Sequence, residues 1–175
     1  MQFIAQTGPR GLVVQANATR LSADLDSSAQ DFYVQYDIFA NSAVVTIGEE
    51  DIAIGTHGTH STGCTRGANS TTPAAHKSGQ NVRLAPGTEL LSKTFNGSTY
   101  LSAIRCGGDV EGIFAVQVDG TIKYIAHTTP YQLELVFPMA RCQPANNTVI
   151  KVLVWLVKHA DNPLDEAVFF AEMQS

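Results

Sequence analysis

Four residues able to ligate a metal, His57, His60, Cys64 and His76, fall in one polar stretch, residues 55–81. Neutral imidazole and thiolate are zinc donors. The spacing, with two, three and eleven residues between successive donors, matches no established zinc module. Short Cys/His tracts also arise by composition alone. The four are therefore read as polar loop residues with no metal expected, and whether they meet in space is decided by the fold.

Nucleophilic catalysis needs a nucleophile, a base and a group that orients the base. Ser, His and Asp are plentiful, but the chain has no Gly-x-Ser-x-Gly elbow, no P-loop and no Gly-x-Gly-x-x-Gly fingerprint. The acidic neighbours Glu49-Glu50-Asp51 and Asp165-Glu166 read as solvated turn residues, and Gly107-Gly108-Asp109 reads as a turn. A glycosidase pair must face each other across a cleft, which adjacency along the chain does not provide. No catalytic residue and no cofactor is expected.

Sequons begin at Asn17, Asn69, Asn96 and Asn146. The opening MQFIAQTGPRG lacks the basic and apolar regions of a secretory signal, so the sequons are read as Asn/Ser/Thr-rich loop composition. The three cysteines, Cys64, Cys106 and Cys142, form no disulfide framework. Cys106 and Cys142 read as buried strand thiols, with a bridge between them left open, and Cys64 as a loop thiol. Trp155, the sole Trp, sits in the most apolar run and reads as core, not as a sugar-stacking platform.

The elements that position these residues follow a period of two. Phe32, Val34, Tyr36 and Ile38 share one face of Asp31–Phe39, and Tyr131, Leu133, Leu135 and Phe137 share one face of Tyr131–Phe137. Such alternation marks half-buried antiparallel strands. Asp119-Gly120 between Ile113–Val118 and Thr121–Ile125 is a strong hairpin signal, since both turn residues must take positive φ. Thr148–Val157 is rich in β-branched residues and reads as a central strand buried on both faces. Further strands are expected at Gly11–Ala16, Ala43–Ile47, Ile52–Ile54, Val82–Leu84, Ser98–Cys106 and Glu166–Met173, the last with a helical turn as alternative. Ala18–Ala29 is the best helix candidate, weakened by its Ser and Asp content. About ten short strands indicate an all-β fold, an antiparallel β-sandwich or jelly-roll-like barrel. Ala43–His57 and Ala115–His127 share a strand, acidic turn, strand, His order, as two hairpins obeying the same physics would.

Residues 55–81 stand apart as a long ordered loop with almost no apolar content. Structureless loops beyond about 12–15 residues are uncommon in compact domains, and their backbone groups need partners. A neighbouring subunit would supply them, and so would a long flap folded on the parent sheet; packing against another subunit is the expectation.

The chain has 175 residues, which suits a single domain over 1–175. It is 44% hydrophobic but only 15% charged, with a net charge of −5. A generic nucleic-acid binder needs clustered cations, and disorder needs fewer apolar residues. No apolar run approaches the roughly 20 residues of a helical membrane span. Partners among nucleic acids or membranes are not expected.

The C-terminal succession has a recognisable style. It runs from GIFAVQVDGTIKYIAHT through YQLELVFP to TVIKVLVWLVKHADNPLDEAVFFAEM. Over residues 98–175 it resembles small β-sandwich structural proteins of tailed bacteriophages, those of the neck, tail, baseplate and capsid decoration. That resemblance implies a non-enzymatic virion component, made in the host bacterial cytoplasm and repeated by symmetry. It would contact copies of itself and other virion proteins. The resemblance carries no catalytic residue over, and residues 55–81 are not part of it. Two other classes stay open: a carbohydrate-binding β-sandwich that recognises a surface glycan, and a metal-dependent hydrolase on a β-barrel.

Overall fold

The two-residue alternation is realised as β-structure. The computed structural model describes residues 12–94, 100–107, 111–128, 134–136, 147–159 and 165–174. These contain fourteen strands and no helix. The fold is all-β, and the described ladders are antiparallel apart from one. The chain divides into two compact units, Met1–Gln15, Thr88–Val154 and Glu166–Ser175 in the first, Ala16–Gly87 and Trp155–Asp165 in the second.

In the first unit, Leu12–Gln15 of β1 (Leu12–Arg20) pair with β14 (Glu166–Gln174). β14 pairs with β9 (Tyr100–Gly107), and β9 with β12 (Glu134–Val136). β10 (Gly112–Val118) pairs with β11 (Thr121–Thr128) around Asp119 and Gly120, whose φ angles are 47° and 80°. That is the two-residue turn the Asp-Gly step calls for. β13 (Val149–Val157) pairs with β8 (Thr88–Thr94) through Val149–Val154. Ile113, Phe114, Ala115, Val116, Ile150, Val152, Val154 and Phe169 are buried. Phe114 meets Phe169 edge-on, with centroids 5.4 Å apart. β13 is buried on both faces from Val152 onward, as expected, while Val149 at its start is only half-buried.

The sequence pattern does not show β8. The ladder slips between Val152 and Leu153, leaving Leu90 as the extra residue of a bulge. Leu90 and Leu91 are both buried in succession, so the alternation that would announce a strand is broken.

In the second unit, β1 pairs with β7 (Asn81–Leu84), β7 with β3 (Val44–Ile47), β3 with β4 (Glu50–Ala53), and β4 with β6 (Thr65–Ala68). The one parallel ladder joins Ala16 and Ala18 to Leu156 and Val157. Asn17 is its bulged residue, and its Oδ1 accepts the Leu156 N–H at 2.9 Å in place of a backbone carbonyl. A small antiparallel ribbon joins β2 (Phe32–Tyr33) to β5 (His60–Ser61). Leu21, Leu25, Phe32, Val34, Phe39, Val45, Ile47, Ile52, Ile54, Cys64 and Val82 form this unit's core.

Two expectations need correction. Asp31–Phe39 is not a nine-residue strand. β2 ends at Tyr33, Val34 makes one bridge to Leu21, and the phase then slips, so that Phe39 is buried and Ile38 only half-buried. Residues 55–81 are not one loop but hold β5, β6 and the bridges Thr56–Thr62 and Leu25–His76. Ala18–Ala29 extends β1 and then turns, and Glu166–Gln174 is strand. Tyr131, Leu133, Phe137, Cys142, Asn96 and Asn146 lie outside the described residues, as do the side chains of Leu135 and Cys106.

Leu153 is buried within β13. Leu153→Ala is expected to lower unfolding free energy by about 2–5 kcal/mol, read from urea denaturation. A loss below about 1 kcal/mol would make the strand peripheral.

Candidate functional site

The turn between β3 and β4 has two residues, Gly48 and Glu49, with glycine at the first position at φ 60°. Register then fixes which way each residue of β4 faces. Ile47 pairs with Glu50 and Val45 with Ile52, so Glu50 shares the core face with three aliphatic side chains. It is 1% exposed. The reading of Glu49-Glu50-Asp51 as uniformly solvated is corrected here: Glu49 is exposed, Asp51 half-buried on the opposite face, and Glu50 buried.

A buried carboxylate requires full pairing. Glu50 Oε1 accepts Arg66 Nε–H at 2.7 Å and Gly67 N–H at 3.1 Å. Its Oε2 accepts Arg66 Nη2–H at 2.7 Å, Ala74 N–H at 3.0 Å and His76 Nε2–H at 2.8 Å. Burial alone would push the carboxyl up. Arg66, the Ala74 N–H, His76 and the Gly67 N–H outweigh it and hold the pKa at about 2 against an ordinary 4.5. An ionised Glu50 only accepts, so His76 carries its proton on Nε2. Arg66 uses its remaining donors on the carbonyls of Asp26 at 2.6 Å, Ala29 at 2.9 Å and Ala74 at 2.6 Å. All five guanidinium N–H groups are placed. A Cβ on Gly67, at φ 65°, would sit 2.7 Å from the Thr71 carbonyl, so the strap passes the carboxylate only with glycine there.

The backbone of residues 55–81 finds its partners in its own chain. Cys64 N–H donates to Gln30, His76 and Leu25 exchange both backbone bonds, and Gly79 N–H donates to Leu21. Ser78 N–H and Lys77 Nζ both bond Asp24. The premise that this segment needs a neighbouring subunit to be ordered is therefore overturned. Its partners are the buried Glu50–Arg66 pair, the exposed Lys77–Asp24 pair and a set of polar contacts, all within the second unit.

The four candidate ligands do not meet. His57 Nδ1 faces Asp37 Oδ1 at 2.9 Å. His60 stacks on Tyr33. Cys64 is buried, and burial pushes its thiol up, away from thiolate. His76 belongs to Glu50. Among the described residues no three metal-ligating groups come together. Asp165 pairs with Lys158, and Glu166 accepts from Gln15 Nε2, so these adjacent acids serve different partners. Asn17 is buried and committed to Leu156, which removes it as a glycan acceptor; Asn69, at a turn, bonds Asp51. Trp155 is core, its Nε1–H on the Leu84 carbonyl at 2.7 Å and the Arg83 guanidinium 5.1 Å from its ring.

Sequence reasoning missed the Glu50–Arg66 pair. The signal was present as Glu50-x-Ile52-x-Ile54, an acid in phase with two buried isoleucines. It also missed the solvent side of the β2–β5 ribbon. Phe32 and Val34 point inward, so Asp31, Tyr33 and Gln35 point out and are exposed, with His60 across from Tyr33. No family model matches the chain, and no curated protein and no solved structure matches it either.

Glu50→Gln leaves Arg66 buried without its counter-charge. The expected cost is about 3–5 kcal/mol in chemical denaturation, with faster hydrogen exchange across residues 64–77. The depressed pKa sets a pH window. Unfolded chains bind the Glu50 proton near 4.5 and the folded chain near 2. This group's contribution is complete above about pH 4.5 and is lost as pH falls toward 2. The difference in unfolding free energy between wild type and Glu50→Gln should shrink as pH falls across that window.

Proposed function

We propose that the protein is a non-enzymatic structural subunit that packs as repeated copies of itself, in a virion assembly of the kind its C-terminal pattern resembles. The observation that carries this reading is the β10–β11 hairpin. Thr121–Ile125 are all exposed, and Ile122, Tyr124 and Ile125 are 44%, 40% and 43% exposed. Val116 pairs with Tyr124 but Gln117 with Ile122, so Lys123 is the extra residue of a bulge. Tyr124 therefore shares a face with Val116, while Ile122 and Ile125 share the other face with Gln117 and Ala115. A hairpin apolar on both faces and projecting into water is a contact surface.

The occupant that fits is a second copy. Lys123 is the only Lys, Arg, Asp or Glu from Thr121 to Thr128, so two copies meet there with little like-charge repulsion. Charged residues are depleted at interface cores in the same way. The bulge and Lys123 oppose strand-to-strand extension at this edge, so the contact is face packing. The polar clusters support the non-enzymatic reading, because Glu50, Arg66 and His76 are consumed by one another.

Sedimentation velocity on the full chain tests it. Wild type should associate with rising concentration. The triple variant Ile122→Thr, Tyr124→Thr, Ile125→Thr, which keeps strand propensity, should stay monomeric with an unchanged circular dichroism spectrum. A monomeric wild type, or equal association of the variant, overturns the reading.

A further inference from the structure

We propose that the outward face of the β2–β5 ribbon is a recognition site for a neutral saccharide. This does not rest on the assembly reading, which uses different strands.

Tyr33 and His60 are cross-strand partners with rings 4.2 Å apart and 8° from parallel. Both remain nearly half exposed, at 47% and 44%. Beneath them Phe32, Val34 and Ser61 are buried, so the rings stand on a fixed base. Asp31 and Gln35, just outside β2, are exposed on the side Tyr33 faces, alternating with buried Phe32 and Val34. One oxygen of Asp31 accepts the Gly63 N–H at 3.1 Å, and the other lies 3.8 Å from His60 Nε2. Asp37, exposed and 2.9 Å from His57 Nδ1, lies further along the same segment.

A pyranose has flat C–H faces and a rim of hydroxyls. An exposed aromatic ring meets the first and adjacent carboxylate and amide oxygens meet the second. The charge pattern narrows the class. Asp31 and Asp37 are acidic, and neither Asp31–Asp37 nor His57–Gly63 contains Lys or Arg. The cations that border the ribbon are Arg20, whose carbonyl accepts the Gln35 N–H, and Lys158, which lies 5.3 Å from the Tyr36 ring and is paired with Asp165. The ribbon's own carboxylates disfavour sialylated, sulfated or phosphorylated ligands there.

Saturation-transfer NMR on the full chain tests this with chitotriose and maltotriose as neutral probes and 3′-sialyllactose as the acidic one. At least one neutral trisaccharide should receive saturation and sialyllactose should not. Tyr33→Ala should weaken binding about tenfold, and Tyr33→Phe should retain it. If Tyr33→Ala perturbs folding, Gln35→Ala, outside the ring stack, should still weaken binding. Silence from both neutral probes, binding indifferent to Tyr33→Ala with the fold intact, or sialyllactose bound as well as the neutral sugars overturns the proposal.

Discussion

A single carboxylate organises the polar half of the second unit. Once the β3–β4 turn closes over Gly48 and Glu49, residue 50 must face the core, and an acid there must be neutralised. Arg66 answers the charge, and its planar fork then has donors left over. Those donors capture the carbonyls of Asp26, Ala29 and Ala74, segments far apart in sequence. The Ala74 N–H and the His76 ring complete the cage. A strap with almost no apolar side chains is thus given one path. Buried ion pairs are weak sources of net stability, because desolvation offsets their attraction. What this pair supplies is position: a guanidinium with five directed donors admits far fewer backbone arrangements than a greasy contact would.

The legible part of the fold is the part where alternation and turn chemistry agree. Asp119-Gly120 named its hairpin, and the β-branched run into Trp155 named a buried strand. Bulges hid the rest. Leu90 beside Leu91 looks like no strand, because a period-two reading has no place for the inserted residue. Asn17 reads as loop composition from its sequon, yet it lies within β1 as a bulged residue whose amide oxygen stands in for a carbonyl. Over Asp31–Phe39 the alternation outran the hydrogen bonds, since a side-chain pattern says nothing of whether a partner strand continues alongside.

The site residues were less legible for a different reason. His57, His60, Cys64 and His76 are close in sequence, and ligand chemistry depends on closeness in space. Strand geometry separated them: Cys64 turned inward, His60 outward onto Tyr33, His57 toward Asp37 and His76 onto Glu50. The informative residue was Glu50, upstream of all four and in phase with two isoleucines, because an in-phase charge predicts a buried counter-charge somewhere in the chain. Finding which Arg answers it needs the fold, since Glu50 and Arg66 meet through the β4–β6 ladder and not through a local turn.

The features that folding leaves unexplained fall on the surface, and the two instances differ in kind. The β10–β11 tip exposes Ile122 and Ile125 on one face and the Tyr124 ring on the other, and water is a poor partner for such apolar area, at roughly 25 cal/mol per Å² left uncovered. The β2–β5 ribbon exposes a stacked aromatic pair set among acids, a surface already content in water. The first gains free energy from any matching apolar surface and so suits association among identical copies. The second gains little from bulk burial, because its carboxylates would have to be desolvated. It gains only from a partner that brings hydroxyls to them while laying C–H groups on the ring. Apolar area on one surface and directed polarity on the other are therefore the grounds on which the two proposals differ, even though both surfaces are carried by antiparallel pairs of the same chain.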